Sequence, residues 1–117
     1  MQRSIINYLT ESVNKFMNKK QQEKIKQQIL NTIKNKKTVN TILSKMNKEA
    51  RKQAEGFPRY NKRNGFFLYP FEKELDDGKY YRISGFIEID NSHASDVVCF
   101  YYPSNKKYEI ELDGVNG

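Results

Sequence analysis

The chain of 117 residues holds one cysteine, one histidine and no long apolar run, and each scarcity excludes something. Cys99 alone cannot close an internal disulfide, which fits a reducing compartment. With His93 as the only imidazole, an acid–base enzyme built on histidine is not expected. No stretch approaches the roughly 20 apolar residues that a membrane-spanning helix needs. The opening residues carry a polar side chain every few positions rather than a continuous apolar segment, so they are not expected to act as a signal peptide, and a cytoplasmic location is expected. Glycine is sparse, at six residues, and falls at turns or strand ends except for Gly85. Phosphate-loop, dinucleotide-binding and nucleophile-elbow motifs are absent, so no cofactor is expected.

What is present is charge and aromatic surface. Apolar residues make up 37% and the mean hydropathy is -0.89, below the usual globular composition, but 8 tyrosines and 7 phenylalanines supply large packing surfaces. One domain over residues 1–117 is expected. Charge divides it. Residues 1–65 hold 16 Lys+Arg against 4 Asp+Glu, and residues 66–117 hold 5 against 10, so a basic half precedes a mildly acidic one. Such asymmetry suggests an anionic partner for the basic half, although AT-rich coding would also enrich Lys, Asn and Ile.

Periodicity gives an α+β fold: three N-terminal helices packed on a C-terminal four-stranded antiparallel β-meander, with a basic helical segment over 1–56, a basic loop over 57–65 and a sheet over 66–113. Ile5, Ile6, Leu9, Val13, Phe16 and Met17 recur at helical spacing and predict a first helix over 4–17. Ile25, Ile29 and Ile33 would emerge on the opposite side of a continuous helix, so a break near 18–22 and a second helix over 21–34 are expected. After a charged break at 34–37, Thr38 is expected to cap a third helix with a stripe of Val39, Ile42, Leu43, Met46, Ala50 and Ala54, ended by Gly56 and Pro58. Phe67, Tyr69, Phe71 and Leu75 alternate in a first strand, which Pro70 marks as an edge or a bulge. Asp77 and Gly78 form a hairpin signal. Tyr81, Ile83, Gly85, Ile87 and Ile89 share one parity of a second strand, with Gly85 marking a bend or the close approach of another backbone. A polar loop is expected over 91–95, then a strand over 96–102 that is apolar on both parities, a last strand carrying Tyr108, Ile110 and Leu112, and a tail from Val115.

The chemistry-bearing candidates are few. Asp90, His93 and Asp96 could in principle converge on a metal, but three ligands in one short hairpin are poorly preorganised, and no metal is expected. Cys99, inside the most apolar strand, reads as a small buried hydrophobe rather than a nucleophile. Lys45, Lys48 and Lys52 are spaced i, i+3, i+7 on one helix face, with Arg51 beside them. Arg59, Tyr60, Lys62 and Arg63 follow in a loop where cations can neutralise phosphates and Tyr60 can stack on a base.

The expectation is therefore a small, basic, non-enzymatic protein that binds nucleic acid or a nucleoprotein complex through these eight residues, led by shape rather than by base sequence. The alternative is an inhibitor or adaptor of the kind phages and mobile elements carry. It would use an aromatic sheet face of Tyr80, Phe86, Phe100 and Tyr102, which a host protein or a second copy in a homodimer would cover. A less favoured alternative is a metal-independent ribonuclease, in which Arg, Lys and Tyr polarise a phosphate while a carboxylate or tyrosine moves the proton.

Overall fold

The computed structural model describes residues 19–75 and 79–116. They form two helices, α1 (Lys19–Ile33) and α2 (Lys36–Ala54), followed by strands β1 (Phe66–Leu68), β2 (Glu72–Leu75), β3 (Tyr80–Asp90), β4 (His93–Tyr102) and β5 (Lys107–Asn116). The three-helix expectation is not matched, since the described residues hold two helices, and the break expected near 18–22 is helix from Lys19 onward; the helix expected over 4–17 and the Asp77–Gly78 turn lie outside the described residues.

In α1 the side chains of Ile25 and Ile29, one turn apart, are buried, with Leu30 and Ile33 packed beside them. The helix stops at Lys34, which takes a left-handed φ of 57° while its N–H still reaches the Leu30 carbonyl at 2.7 Å. A lysine there stands where glycine is usual and costs about 1 kcal/mol. The expected four-residue break is in fact two residues long, because Asn35 and not Thr38 is the cap: its side-chain oxygen accepts the Thr38 N–H at 3.0 Å. From there α2 buries Val39, Ile42, Met46, Ala50 and Ala54, a stripe with one or two members per turn. Burying a side chain such as Ile29 or Ile42, both fully enclosed, contributes about 1.5–3 kcal/mol each.

The sheet is antiparallel, with β1 and β2 sharing one margin against β3, then β4, then β5 at the other margin. The single first strand expected from alternation is two short ones, separated at 69–71 around Pro70, which has no N–H for the ladder. Within β1, Leu68 pairs with Gly85 of β3. A Cβ there would stand 2.6 Å from both the Phe66 ring and the Phe67 carbonyl oxygen, so β1 can lie this close only over a glycine. The turn from β3 to β4 is tighter than the expected polar loop, since Asp90 already pairs with His93. The tail is strand as well: a bulge at Asp113, with Gly114 at φ 90°, lets Val115 and Asn116 pair with Ser95 and Ala94.

Both helices lie on the sheet face that carries Leu68, Ile83, Ile87, Val97 and Cys99. Ser95 belongs to that face and is fully buried, which a serine tolerates only when bonded. Its hydroxyl donates to the Ala50 carbonyl at 2.9 Å and accepts from Gln53 Nε2 at 2.7 Å, and the same Gln53 amide reaches the Gly114 carbonyl at 3.2 Å. One polar cluster thereby fixes α2 against β4 and β5.

Candidate nucleic-acid interface

The buried stripe of α2 determines what its other side shows. Lys37, Thr41, Ser44 and Lys48 follow at i, i+4, i+7 and i+11, a single solvent-facing row, and exposed Lys45 and Lys52 flank it. Lys36, Lys37, Lys45 and Lys48, with Thr41 and Ser44 between them, line one open depression on this surface. Lys45 also leans over the Tyr108 ring of β5, its Nζ 5.8 Å from the centroid. Lys36 and Lys37 escape a reading of the sequence that puts them in a break between helices; the earlier cap at Asn35 places them on the first turn of α2.

The loop after α2 is placed by Arg51. Its Nη1 donates to the Tyr60 hydroxyl at 2.6 Å and to the carbonyls of Lys62 and Asn64 at 3.2 and 3.4 Å, and Nη2 donates to Asn47 Oδ1 at 3.2 Å. Tyr60 packs its ring against the core. Two of the eight candidate residues are therefore also structural: half-buried Arg51 and Tyr60 hold the loop on the helix, the tyrosine with part of its surface against the core. Asn64 completes the attachment by donating from Nδ2 to the Glu88 carbonyl at 2.7 Å. Lys62 and Arg63 remain exposed.

Arg59 is exposed too, but in different company. It lines a cavity of about 360 Å³ with Asn61, Asn64, Glu88 and Asp90. Burial, with the Asp90 charge added, raises the Glu88 carboxyl above its ordinary range. Asp90 is instead lowered, first by the Ser92 backbone N–H and then by His93, whose Nδ1 lies 2.9 Å from its Oδ1. Two carboxyl groups thus share this cavity with Arg59, whereas the depression lined by the α2 lysines has none.

The remaining candidates take other places. Asp96 does not join His93 and Asp90, because it accepts the Tyr69 hydroxyl at 2.9 Å on the sheet face away from the helices. Burial raises both Asp96 and Tyr69. Cys99 is fully enclosed and its thiol is pushed up to about 12 by burial. On the outer face, Phe86 is buried under the rings of Phe67 and Tyr69, at centroid distances of 5.6 and 4.9 Å, while Tyr80 contacts Phe100 and Tyr102 at 5.4 and 5.6 Å. Of the four aromatic candidates, Tyr80, Phe100 and Tyr102 are half-buried and Phe86 is not accessible. Comparison with known protein families, with curated proteins and with solved structures finds no match.

Proposed function

We propose that this is a small non-enzymatic binding protein that engages nucleic acid or a nucleoprotein assembly through the outer face of α2 and the adjoining Lys62 and Arg63. The observation that carries the reading is the lysine row on α2, opposite the helix's buried stripe, with hydroxyl side chains between the cations. Ammonium groups held on a rigid helix, with Lys37 and Lys48 about 16 Å apart along its axis, can contact phosphates of one nucleic acid, and releasing condensed counterions supplies the affinity. Ser44 can donate to a phosphate oxygen without reading sequence, whereas the Thr41 hydroxyl already donates to the Lys37 carbonyl at 2.9 Å. Charge separation between layers adds support, since Glu88, Asp96, Glu109, Glu111 and Asp113 all belong to the sheet. Among the described residues no helix is long and apolar enough to cross a membrane, and we place the binding event in the cytoplasm.

The test is binding to duplex and single-stranded oligonucleotides as a function of salt, for two triple variants of equal charge change. Lys37/Lys48/Lys52→Ala removes both lysines of the row and the flanking Lys52, and Lys19/Lys20/Lys24→Ala removes exposed lysines of α1. Each lysine taken from the row should flatten the log–log salt slope on duplex DNA by about 0.9. The α1 variant should change it little. Equal losses of affinity from both would leave only diffuse charge.

A further inference from the structure

The β5 margin of the sheet is open. Among the described residues nothing pairs with its far side, and it runs for 10 residues, Lys107–Asn116. A strand in this position presents a row of backbone N–H and C=O groups without partners. Tyr108 and Ile110 pack against the core, but further along the strand the apolar side chains stay exposed. Leu112 and Val115 are 44% and 38% exposed, and both fall on the face that the helices cover elsewhere, alongside Tyr108 and Ile110. The other face carries Glu109 and Glu111, with Asp113 at the bulge. Glu109 is paired with Lys107 at 3.4 Å, but among the described residues Glu111 and Asp113 have no ion-pair partner. The margin therefore combines three features: free backbone groups, an apolar rim on one face and an acidic rim on the other.

We propose that β5 is a strand-addition site for an extended basic segment of a partner protein, one whose side chains alternate between Lys or Arg and aliphatic residues. Backbone bonds to the open margin supply the pairing, the aliphatic side chains lie beside Ile110, Leu112 and Val115, and the cations lie beside Glu109, Glu111 and Asp113. Charge decides against the obvious competitor, a second copy of this chain. In the antiparallel β5–β5 pair of fullest overlap, centred on Glu111, Glu111 of one copy faces Glu111 of the other and Glu109 faces Asp113, which is destabilising; only registers shifted toward residue 109 bring Lys107 opposite a carboxylate. The site lies on the sheet margin rather than on the α2 row, which it adjoins where Lys45 leans over Tyr108 of β5.

The probe is an eight-residue peptide of alternating Lys and Val with blocked termini, measured by fluorescence anisotropy against a Glu–Val peptide of the same length. The protein's net charge of +7 repels a basic peptide as a whole, so tighter binding of the Lys–Val peptide reports a local acidic margin. A preference of about tenfold is expected. A Lys–Val peptide N-methylated at alternate residues should lose it, because one edge can no longer donate, and amide exchange should slow along β5 when the parent peptide binds. In Glu111→Lys/Asp113→Lys the preference should reverse toward the Glu–Val peptide. Equal binding of the two peptides, or undiminished binding of the N-methylated one, would overturn the proposal. So would a free protein that is already a dimer with β5 amides protected, since the second copy would then hold the margin.

Discussion

The Arg51 guanidinium donates to the Tyr60 hydroxyl across 2.6 Å and, from the same nitrogen, to two carbonyls of the adjoining loop. A cation in a basic stretch is thereby used as a brace, and a brace has a different signature from a group that touches a ligand. Arg51→Ala should lower stability by about 1–3 kcal/mol, since it leaves a half-buried hydroxyl and two carbonyls with fewer donors. Tyr60→Phe should cost less, about 0.5–1.5 kcal/mol, and should leave nucleic-acid affinity and its salt slope unchanged. Urea denaturation with parallel binding curves separates the two effects. A Tyr60→Phe protein of normal stability and weakened binding would put that hydroxyl back at the interface.

Gly85 and Gly114 should respond to the same substitution for different reasons. At Gly85 an added Cβ meets the Phe67 carbonyl oxygen at 2.6 Å, and backbone cannot swing aside, so Gly85→Ala should destabilise by about 1–3 kcal/mol. At Gly114 nothing lies within 4 Å and the difficulty is the φ of 90°. Asparagine tolerates positive φ better than alanine. Gly114→Asn should therefore be milder than Gly114→Ala, whereas Gly85→Asn should be worse than Gly85→Ala. Thermal unfolding of the four variants checks the order, and the same ranking at both positions would contradict it.

The outer-face carboxylate makes a statement about pH. Burial raises Asp96 above its ordinary value of 3.8, with the Asp113 charge adding to the effect against the hydrogen bonds from Tyr69 and Asn116. The folded state thus holds this proton more tightly than the unfolded state does. Stability from the group is full below the unfolded value and is lost as pH rises from there through the folded value. Asp96→Asn keeps an acceptor for the Tyr69 hydroxyl and removes the charge. It should raise the urea midpoint at neutral pH and change it little near pH 3. A lower midpoint at both pH values would mean that the carboxylate itself is needed.

Cys99 should behave as core. Fully enclosed, and with its thiol pushed up to about 12, it should resist alkylation in the native protein and react promptly in denaturant. Cys99→Ser should cost stability without changing nucleic-acid binding, because it buries a hydroxyl where a thiol was. Rapid labelling under native conditions would show that the strand opens readily.

What the sequence disclosed follows from the range over which its signals act. The parity of Ile83, Ile87 and Ile89 is a local pattern, and all three are buried as that pattern requires. Pro70 and Gly85 were legible because each acts through its own backbone. Ser95 was not. Among asparagine, histidine and serine it reads as loop, yet its partners Ala50 and Gln53 lie 45 and 42 residues away. The bond between Arg51 and Tyr60 was hidden for a similar reason, since composition records that a cation and an aromatic are present but not that they face each other. The cap at Asn35 was within reach, because asparagine is as good a cap as threonine and stands three residues before the N–H it accepts.

At the opposite margin of the sheet, the Gln22 side chain donates to the Leu68 carbonyl at 3.2 Å and its oxygen accepts the Leu68 N–H at 2.8 Å. One amide thus makes both bonds that a neighbouring strand would have made there, and the rest of that margin is interrupted at Pro70. The two margins thus differ in what an added strand would meet: at Leu68 it would have to displace the Gln22 amide, whereas along β5 nothing among the described residues pairs with the far side.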